Sequence, residues 1–355
     1  MPRPRALVVG VTGIVGNNLA RHLIETGAWE VSGISRHAPT GMSPLQSIRV
    51  DLRDREATLQ TLSGHRPTHV FFCTWTRNAT EAENIQVNGA MFKNLLEAVG
   101  AERSVRHVSL VTGTKHYLGP FESYAKNKPT TPFREDQPRL NAENFYYTQE
   151  DLLFDAARTH GFTWSVHRPH TIIGYAVGNA MNLGVTLATY ASICRASGRP
   201  FLFPGSPTQY SALADVTDAR LLARHLAWAA TAPAASNEAF NVVNGDVFRW
   251  EHLWSVIANH FGLEPAPYPG HATPLETTMS NDGPAWDAIV RDHRLQPNPL
   301  DRLASPWHTD ADLGRPMECV NDMSKSRRLG FLVYQETERS FLDLFDRLRE
   351  ERIIP

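Results

Sequence analysis

The sequence predicts an α/β protein with a Rossmann-type, doubly wound parallel sheet and a smaller, mostly helical C-terminal part. Short apolar runs alternate with segments of helical periodicity through the first half of the chain, which is typical of buried parallel strands joined by helices. The first apolar run also leads directly into a glycine-rich turn and a helix. With 355 residues, the chain is long enough for one large α/β domain, or for a cofactor domain with an appended part.

The first strand is predicted over Ala6–Val11 and leads into a turn that contains Gly10, Gly13 and Gly16. Glycine lets the backbone turn tightly and approach a diphosphate, and the start of a helix offers free N–H groups. Because a strand precedes these glycines and a helical pattern follows them, the spacing predicts a dinucleotide-binding site. The alternative is an ordinary turn between a strand and a helix.

The second strand ends at Ser35 and Arg36, and no acidic residue lies nearby. An acid at this place accepts hydrogen bonds from the ribose of NAD, whereas an arginine suits the 2′-phosphate of NADP. The sequence therefore favours NADPH, unless Arg36 is only a solvated loop residue. A third short strand ends at Asp51 and Leu52, where Asp51 either faces the adenine or caps the helix that begins near Asp54.

Two further strands, over residues 68–74 and 107–112, are each followed by side chains that suit a cofactor crevice. Trp75 and Arg77 follow the first of these strands, and Lys115 follows the second. In a parallel sheet the carboxyl ends of the strands meet at one edge, where cofactors bind. We therefore expect Lys115 to point into the same crevice as the glycine-rich turn.

The alternating βα pattern resembles the extended short-chain dehydrogenase/reductase superfamily, whose usual signature is Tyr-x-x-x-Lys. A helix predicted over residues 145–160 has Tyr146 in its first turn, but the residue four positions later is Glu150. Only Tyr124 has a lysine, Lys128, at the required spacing. Prolines that follow at once prevent that segment from continuing as a helix, so the two side chains are not expected to share a face.

The lysine that follows the fifth strand offers a relocated partner for Tyr146. The polar, proline-rich segment 117–141 is longer than an ordinary connection, and we expect it to border the active site. A sixth strand is predicted over residues 163–169, and the following β-branched run, which includes Ile172, is expected to pass the nicotinamide.

The second half of the chain is predicted to build the substrate pocket. We place the NADPH-binding domain at residues 1–178 and the substrate-binding region at residues 179–355, with segments around 210–245 returning to the first domain. Helical patterns cover residues 181–197, 250–261, 286–293 and 324–352, another helix starts near 215–219, and residues 240–243 are strand-like.

The composition excludes several classes of partner. The 35 basic and 37 acidic residues nearly balance, which gives no reason to expect nucleic acid or an anionic membrane. No apolar run approaches the roughly 20 residues of a membrane helix, and no signal peptide is recognised, so a cytoplasmic location is expected. The three cysteines and the scattered histidines show no metal-ligand spacing, so no metal site is predicted.

Several long motifs resemble the progesterone 5β-reductase/iridoid synthase-like group of atypical short-chain reductases. The resemblance extends from residue 5 to the carboxyl end. The motifs that carry it are Thr74-Trp75 with Glu81 and Glu83-Asn84, the run from Thr112 to Tyr124, Pro132–Arg139, Asn144-Phe145-Tyr146-Tyr147 with Glu150-Asp151, and Thr163–Pro169. His170 and Thr171 depart from the Gly-Asn of the plant members.

This resemblance implies NADPH-dependent reduction of the carbon–carbon double bond of an enone or enal. It implies that Lys115 and Tyr146 are the catalytic pair, with Tyr147 as the less favoured tyrosine. The predicted substrate pocket consists of Trp75, His116, Tyr117, Phe121 and Tyr147. The predicted cofactor contacts are Gly10, Thr12, Gly13, Ile14, Val15, Gly16, Ser35, Arg36, Asp51, Leu52, Thr74, Trp75, Thr112, Tyr146 and Ile172.

Three other functions remain as alternatives at this point. A sugar-nucleotide epimerase or dehydratase of the same fold would need the tyrosine–lysine helix pair, and a carbonyl reductase of the same fold is a further alternative. A non-catalytic NADPH sensor would need only the glycine-rich turn. The expected partners are a small-molecule enone or enal substrate and, by analogy with the superfamily, a second copy of the chain in a homodimer.

Overall fold

The computed structural model describes residues 2–39, 41–120, 129–179 and 181–355. The strands in these ranges are β1 (Arg5–Val9), β2 (Glu30–Ser35), β3 (Gln46–Arg49), β4 (His69–Phe72), β5 (His107–Val111), β6 (Thr163–Pro169), β7 (Ile172–Ile173), β8 (Thr217–Asp218) and β9 (Glu238–Val242).

The helices in the same ranges alternate with the strands in the first half of the chain and dominate the second half. They are α1 (Ile14–Glu25), α2 (Arg55–Leu62), α3 (Glu81–Ala101), α4 (Lys115–Leu118), α5 (Phe145–His160), α6 (Leu183–Ser197), α7 (Pro207–Ser211), α8 (Ala219–Ala229), α9 (Trp250–His260), α10 (Leu275–Thr278), α11 (Gly283–Asp292), α12 (Leu300–Leu303), α13 (Pro306–Leu313), α14 (Ser324–Arg328) and α15 (Thr337–Glu350).

Seven strands form one parallel sheet in the order β3-β2-β1-β4-β5-β6-β9. The chain leaves β1 in one direction to build β2 and β3, and then returns to build β4 to β6 on the other side. This reversal opens a crevice at the carboxyl ends of β1 and β4. The strand order confirms the predicted doubly wound fold.

Both faces of the main sheet are covered by helices, and alternate side chains of a strand pack against opposite faces. Ala6 and Val8 of β1 pack into a buried cluster with α1 and α8, whereas Leu7 and Val9 pack into a cluster with α2, α3 and α5. Successive residues of a strand point to opposite faces, so a strand that is apolar throughout is buried between two helical layers.

The second half of the chain has its own apolar core, which includes Phe201, Trp254, Trp286 and Phe345 from or near α6, α9, α11 and α15. Two parts of this half nevertheless join the first. Strand β9 pairs with β6 at the edge of the main sheet, and α8 packs against α1. The short strands β7 and β8 form a separate parallel pair.

Two predicted helices differ from the observed elements. The segment 324–352 is not one helix: α14 ends at Arg328, and the chain turns at Gly330, whose φ of +106° is unfavourable for other residues. The helix predicted near residues 215–219 begins only at Ala219, where the Asp218 carboxylate accepts a hydrogen bond from the Arg220 N–H. Thr217 and Asp218 form strand β8 instead.

Candidate active site

A cavity of about 650 Å³ lies at the carboxyl edge of the main sheet. Its wall contains residues that follow β1, β2, β4 and β5, together with the start of α5 and part of α13. Of the residues predicted from the sequence, those on the wall are Gly10, Thr12, Gly13, Ile14, Val15, Ser35, Arg36, Asp51, Leu52, Thr74, Trp75, Thr112, Lys115, Tyr146 and Ile172.

The glycine-rich turn fits the diphosphate of a dinucleotide. Gly10 has a φ of +84°, and a Cβ atom there would lie only 2.7 Å from Cβ of Thr74. Gly13 precedes α1, and no side chain caps the N–H groups of the first turn. These N–H groups and the positive end of the helix dipole lie on the cavity, where they can bind an anion.

Gly16, which we predicted to contact the cofactor, is not on the cavity wall. A Cβ atom at Gly16 would lie 2.3 Å from the carbonyl oxygen of Gly10. A glycine at this position therefore lets α1 pack closely on the turn, and a contact between Gly16 and a cofactor stays a prediction.

The far end of the cavity carries basic side chains beside Ser35. Arg36 and Arg53 both line the wall. Asp51, predicted to face an adenine or to cap a helix, is paired with Arg53 at 2.5 Å. The hydrogen bond from Arg53 lowers the pKa of the Asp51 carboxyl. Asp54 caps α2 instead, by accepting a hydrogen bond from the Ala57 N–H.

Lys115 is held at the other end of the cavity by a carboxylate. Its Nζ atom lies 2.5 Å from Oε2 of Glu81, and only 7% and 13% of the two side chains are exposed. The ammonium also lies 4.5 Å from the centre of the Phe145 ring. The carboxylate and the aromatic face together hold this buried ammonium in a fixed position.

Tyr146 lies in the first turn of α5, and its position depends on Asn144. The Asn144 side chain accepts a hydrogen bond from the Tyr146 N–H at 3.1 Å and donates one to the Lys115 carbonyl at 3.0 Å. A Cβ atom built on Gly113 would lie 3.6 Å from the Tyr146 hydroxyl, so this hydroxyl lies against the turn that follows β5. Lys115 and Tyr146 are thus on neighbouring parts of one wall.

Burial raises the pKa of the Tyr146 hydroxyl, and the charge of Glu81 raises it further. The hydroxyl therefore stays protonated and can donate a hydrogen bond to a group in the cavity. Trp75 stacks on Phe145, with ring centres 5.2 Å apart, and forms the adjacent apolar wall.

Three residues of the predicted substrate pocket do not line this cavity. The Tyr117 hydroxyl donates a hydrogen bond to Asn241 at 2.6 Å, and the Tyr147 hydroxyl donates one to the His116 carbonyl at 2.6 Å. Successive residues of a helix point about 100° apart, so α4 directs Lys115 to the cavity but His116 and Tyr117 into packed surroundings. The same rotation separates Tyr147 from Tyr146.

The predicted pocket residue Phe121 and the pair Tyr124 and Lys128 lie outside the described residues. The described remainder of the long segment, residues 129–141, does not line the cavity. Phe133 is instead buried and stacks on Tyr117, with ring centres 4.9 Å apart.

Glu150 occupies the position of the lysine in the usual Tyr-x-x-x-Lys signature. Its carboxylate accepts hydrogen bonds from Arg168 at 3.2 Å and from Arg139 at 2.9 Å. Burial alone would raise the pKa of Glu150, but neighbouring His116 and the charge of Arg168 hold it at about 2. Glu150 is not on the cavity wall, so this acid belongs to a structural ion-pair network.

The wall that comes from the C-terminal half was not predicted from the sequence. Trp307 and His308 of α13 line the cavity, and the Arg77 guanidinium lies 3.7 Å from the centre of the Trp307 ring. Burial lowers the pKa of His308. No short sequence motif predicts that these residues line the cavity, because α13 reaches it only through tertiary packing.

A polar cluster continues behind this wall. Arg315 Nη1 lies 2.5 Å from Nε2 of His170, and His170 Nδ1 lies 2.7 Å from Asp215. A guanidinium only donates, so Nε2 accepts and Nδ1 carries the proton donated to Asp215. Arg315 also pairs with Asp312, which accepts a hydrogen bond from Thr171 at 2.9 Å. His170 and Thr171 therefore anchor the segment between β6 and β7.

Two negative findings apply to the described part of the chain. No group of three or more histidine, cysteine, aspartate and glutamate side chains is arranged to hold a metal ion. Among the helices that the structure describes, none is both long and apolar enough to cross a membrane.

Residues 43–355 match the PRISE-like Rossmann-fold domain. An (S)-8-oxocitronellyl enol synthase of Nepeta racemosa is 42% identical over 364 residues, which cover 99% of this chain and 93% of the relative. A 3-oxo-Delta(4,5)-steroid 5-beta-reductase of Arabidopsis thaliana is 40% identical over 361 residues, with coverage of 99% and 93%. These relatives are similar over almost the whole chain.

Solved structures with the same fold are more distant in sequence. A UDP-glucose 4-epimerase of Thermus thermophilus, in complex with NAD, has a TM-score of 0.66 and 18% identity and covers 97% of this chain and 99% of its own. An epimerase of Methanothermobacter thermautotrophicus has a TM-score of 0.70 and 17% identity, with coverage of 98% and 93%. At this identity the likeness shows the fold alone.

Proposed function

The chain belongs to the PRISE-like Rossmann-fold family, and from this premise we propose that it uses NADPH to reduce the activated carbon–carbon double bond of α,β-unsaturated ketones or aldehydes. The observation that carries the proposal is the position of Lys115 and Tyr146. Both lie on the wall of the cavity next to the turn after β5, and Glu81 and Asn144 fix them there. The names of the relatives, a steroid 5-beta-reductase and an enol synthase, agree with this chemistry.

When bound, the nicotinamide supplies a hydride to the β-carbon of the substrate. The π electrons then move toward the carbonyl oxygen, which becomes an enolate oxygen. The Tyr146 hydroxyl donates a hydrogen bond to that oxygen, and the Lys115 ammonium stabilises the negative charge nearby. A proton from solvent then adds to the α-carbon, so Tyr146 stabilises charge and need not lose its proton.

The same arrangement explains why a lysine four residues after the tyrosine is dispensable. In the usual signature that lysine lowers the pKa of the tyrosine, so that the tyrosine can transfer a proton. Here Glu150 takes that place in an ion-pair network outside the cavity. This arrangement favours double-bond reduction over an epimerase or dehydratase reaction.

NADPH is the proposed cofactor because of the basic end of the cavity. Arg36 and Arg53 lie on its wall beside Ser35, where a 2′-phosphate would be bound. The pairing of Arg53 with Asp51 leaves Arg36 as the proposed principal contact. The Arg36 substitution described in the Discussion tests this assignment.

The test of the reaction is NADPH oxidation by the purified protein with 2-cyclohexenone, an acyclic enal, progesterone and a saturated ketone. We expect oxidation with at least one enone or enal, none with the saturated ketone, and a strong loss in Tyr146→Phe. Turnover of the saturated ketone alone would make the protein a carbonyl reductase. NADPH binding without any turnover on this panel would favour the sensor alternative.

A further inference from the structure

Glu81 connects the two elements that carry the proposed catalytic pair. It is the first residue of α3, where Thr80 and Glu83 form a reciprocal capping box that fixes the helix start. One carboxylate oxygen pairs with the Lys115 ammonium of α4 at 2.5 Å. The other accepts a hydrogen bond from the Phe145 N–H of α5 at 2.8 Å. A single carboxylate therefore joins α3, α4 and the first turn of α5.

This bridge is largely removed from solvent. Only 13% of the Glu81 side chain and 7% of the Lys115 side chain are exposed. Asn84, one turn further along α3, donates a hydrogen bond at 3.3 Å to the Glu81 oxygen that pairs with Lys115. A carboxylate with three donors and little water around it is fixed in position.

The pairing changes what Lys115 can do for Tyr146. An unpaired ammonium near a tyrosine favours the phenolate, whereas the Glu81 charge offsets that of Lys115 and itself opposes ionisation of Tyr146. The other charged or titratable groups on the cavity wall come from other elements. Arg36 follows β2, Asp51 and Arg53 follow β3, Cys73 and Arg77 follow β4, His308 and Asp312 lie on α13, and Arg315 follows α13.

We propose that Glu81 is a positioning residue of the reductase site: by pairing with Lys115 and holding the first turn of α5, it keeps Tyr146 as a neutral hydrogen-bond donor to the substrate oxygen. The inference rests on the proposed double-bond reduction and deepens it. With Glu81 in place, Tyr146 stabilises the charge on the substrate oxygen. In the Tyr-x-x-x-Lys signature, by contrast, the tyrosine transfers a proton.

The test compares Glu81→Gln, which removes the charge and keeps the shape, with Glu83→Gln as a matched control on the same helical turn. Tyr146 ionisation is measured from tyrosinate absorbance, as the difference between each protein and its Tyr146→Phe counterpart. We expect Glu81→Gln to lower the pH of Tyr146 ionisation by about one to three units. We also expect its kcat for 2-cyclohexenone to fall by about 10- to 100-fold, because the pair is misplaced.

The proposal is overturned if Glu81→Gln matches Glu83→Gln in both the ionisation pH of Tyr146 and kcat. If Glu81→Gln does not fold, Glu81→Asp tests the proposal instead. Its shorter side chain should lower kcat without lowering the ionisation pH of Tyr146. A wild-type kcat in Glu81→Asp would overturn the proposal. The tyrosinate titration needs no turnover. It therefore judges Glu81 even if the wild-type protein reduces none of the enones, a result that would count against the proposed function instead.

Discussion

The Glu150 carboxylate lies 3.2 Å from the Arg168 guanidinium, one helical turn after Tyr146. This pair fills the place where the usual signature has its lysine. Both side chains are buried, and Arg139 donates a second hydrogen bond to the same carboxylate. The helix that carries Tyr146 is therefore tied to β6 by an ion pair, and the ammonium of the site comes from α4.

Restoring the signature lysine should damage the fold and should not create a catalytic pair. Glu150→Lys places an ammonium against Arg168 and Arg139, and we expect the free energy of unfolding to fall by about 3–5 kcal/mol. Urea unfolding measures this loss. The matched control is Asp151→Lys, at an exposed position, for which we expect a loss below about 1 kcal/mol. A stable Glu150→Lys protein that reduces saturated ketones would contradict this account.

Arg36 should determine the preference for NADPH. Arg36→Ala removes charge-assisted hydrogen bonds worth about 1.5–3 kcal/mol, so we expect the Kd for NADPH to rise about 10- to 100-fold. The Kd for NADH should change little, which fluorescence titration can measure. Arg55→Ala is the control, because Arg55 pairs with Glu97 away from the cavity. If Arg36→Ala weakened the binding of NADPH and NADH equally, Arg36 would not be the residue that binds the 2′-phosphate.

Substitution of the two neighbouring tyrosines, Tyr146 and Tyr147, should have different effects on kcat. Tyr146→Phe removes the proposed donor to the enolate oxygen, and we expect kcat to fall by about 100- to 1,000-fold. Tyr147→Phe instead removes the hydrogen bond to the His116 carbonyl, which should lower stability by about 1–3 kcal/mol. Its kcat at a temperature where the protein is folded should stay near the wild-type value. The opposite ranking of kcat would make Tyr147 the catalytic tyrosine.

Buried histidines should make the protein sensitive to acid. His107 bonds to Ser165 at 2.9 Å, Ser165 to His167 at 2.9 Å, and His167 to His225 at 3.0 Å. Burial lowers the pKa of His107 and of His225 to about 3, and it also lowers that of His167. These imidazoles therefore stay neutral in the folded chain when they would be protonated in the unfolded chain.

The unfolded chain takes up these protons below about pH 6.5, whereas the folded chain does not do so until near pH 3. Stability should therefore fall as the pH falls between these values, by about 1.4 kcal/mol per pH unit for each such histidine. Urea unfolding at several pH values measures the slope, and His225→Gln should make it shallower. A free energy of unfolding that is constant between about pH 6 and pH 4 would contradict the prediction.

Local signals in the sequence were sufficient to predict the sheet and many of the residues that line one end of the cavity. The apolar runs and the turn at Gly10 and Gly13 depend on backbone rules that act over a few residues. At Gly16, spacing alone does not distinguish contact with a ligand from close packing on a neighbouring carbonyl. The family resemblance pointed to Lys115 and Tyr146, and the structure places both on the cavity.

Features that depend on side-chain direction or on distant packing were not predictable in this way. His116 and Tyr117 follow Lys115 directly, but a helical turn rotates them away from the cavity. Trp307 and His308 reach the wall only because α13 packs across from the sheet, and no local pattern encodes that contact. Glu81 was part of a motif, but its link between Lys115 and α5 emerged only from the folded chain.

The central claim is reduction at the carbon–carbon double bond. Its most direct test is the reaction of 2-cyclohexenone with NADPH that carries deuterium at C4 of the nicotinamide. The measured quantity is the position of the deuterium in the product. NMR of the product locates the deuterium. The account predicts a saturated ketone that carries deuterium on the former β-carbon, and greatly reduced incorporation with Tyr146→Phe. Deuterium on the carbinol carbon of an allylic alcohol would show carbonyl reduction and would contradict the account.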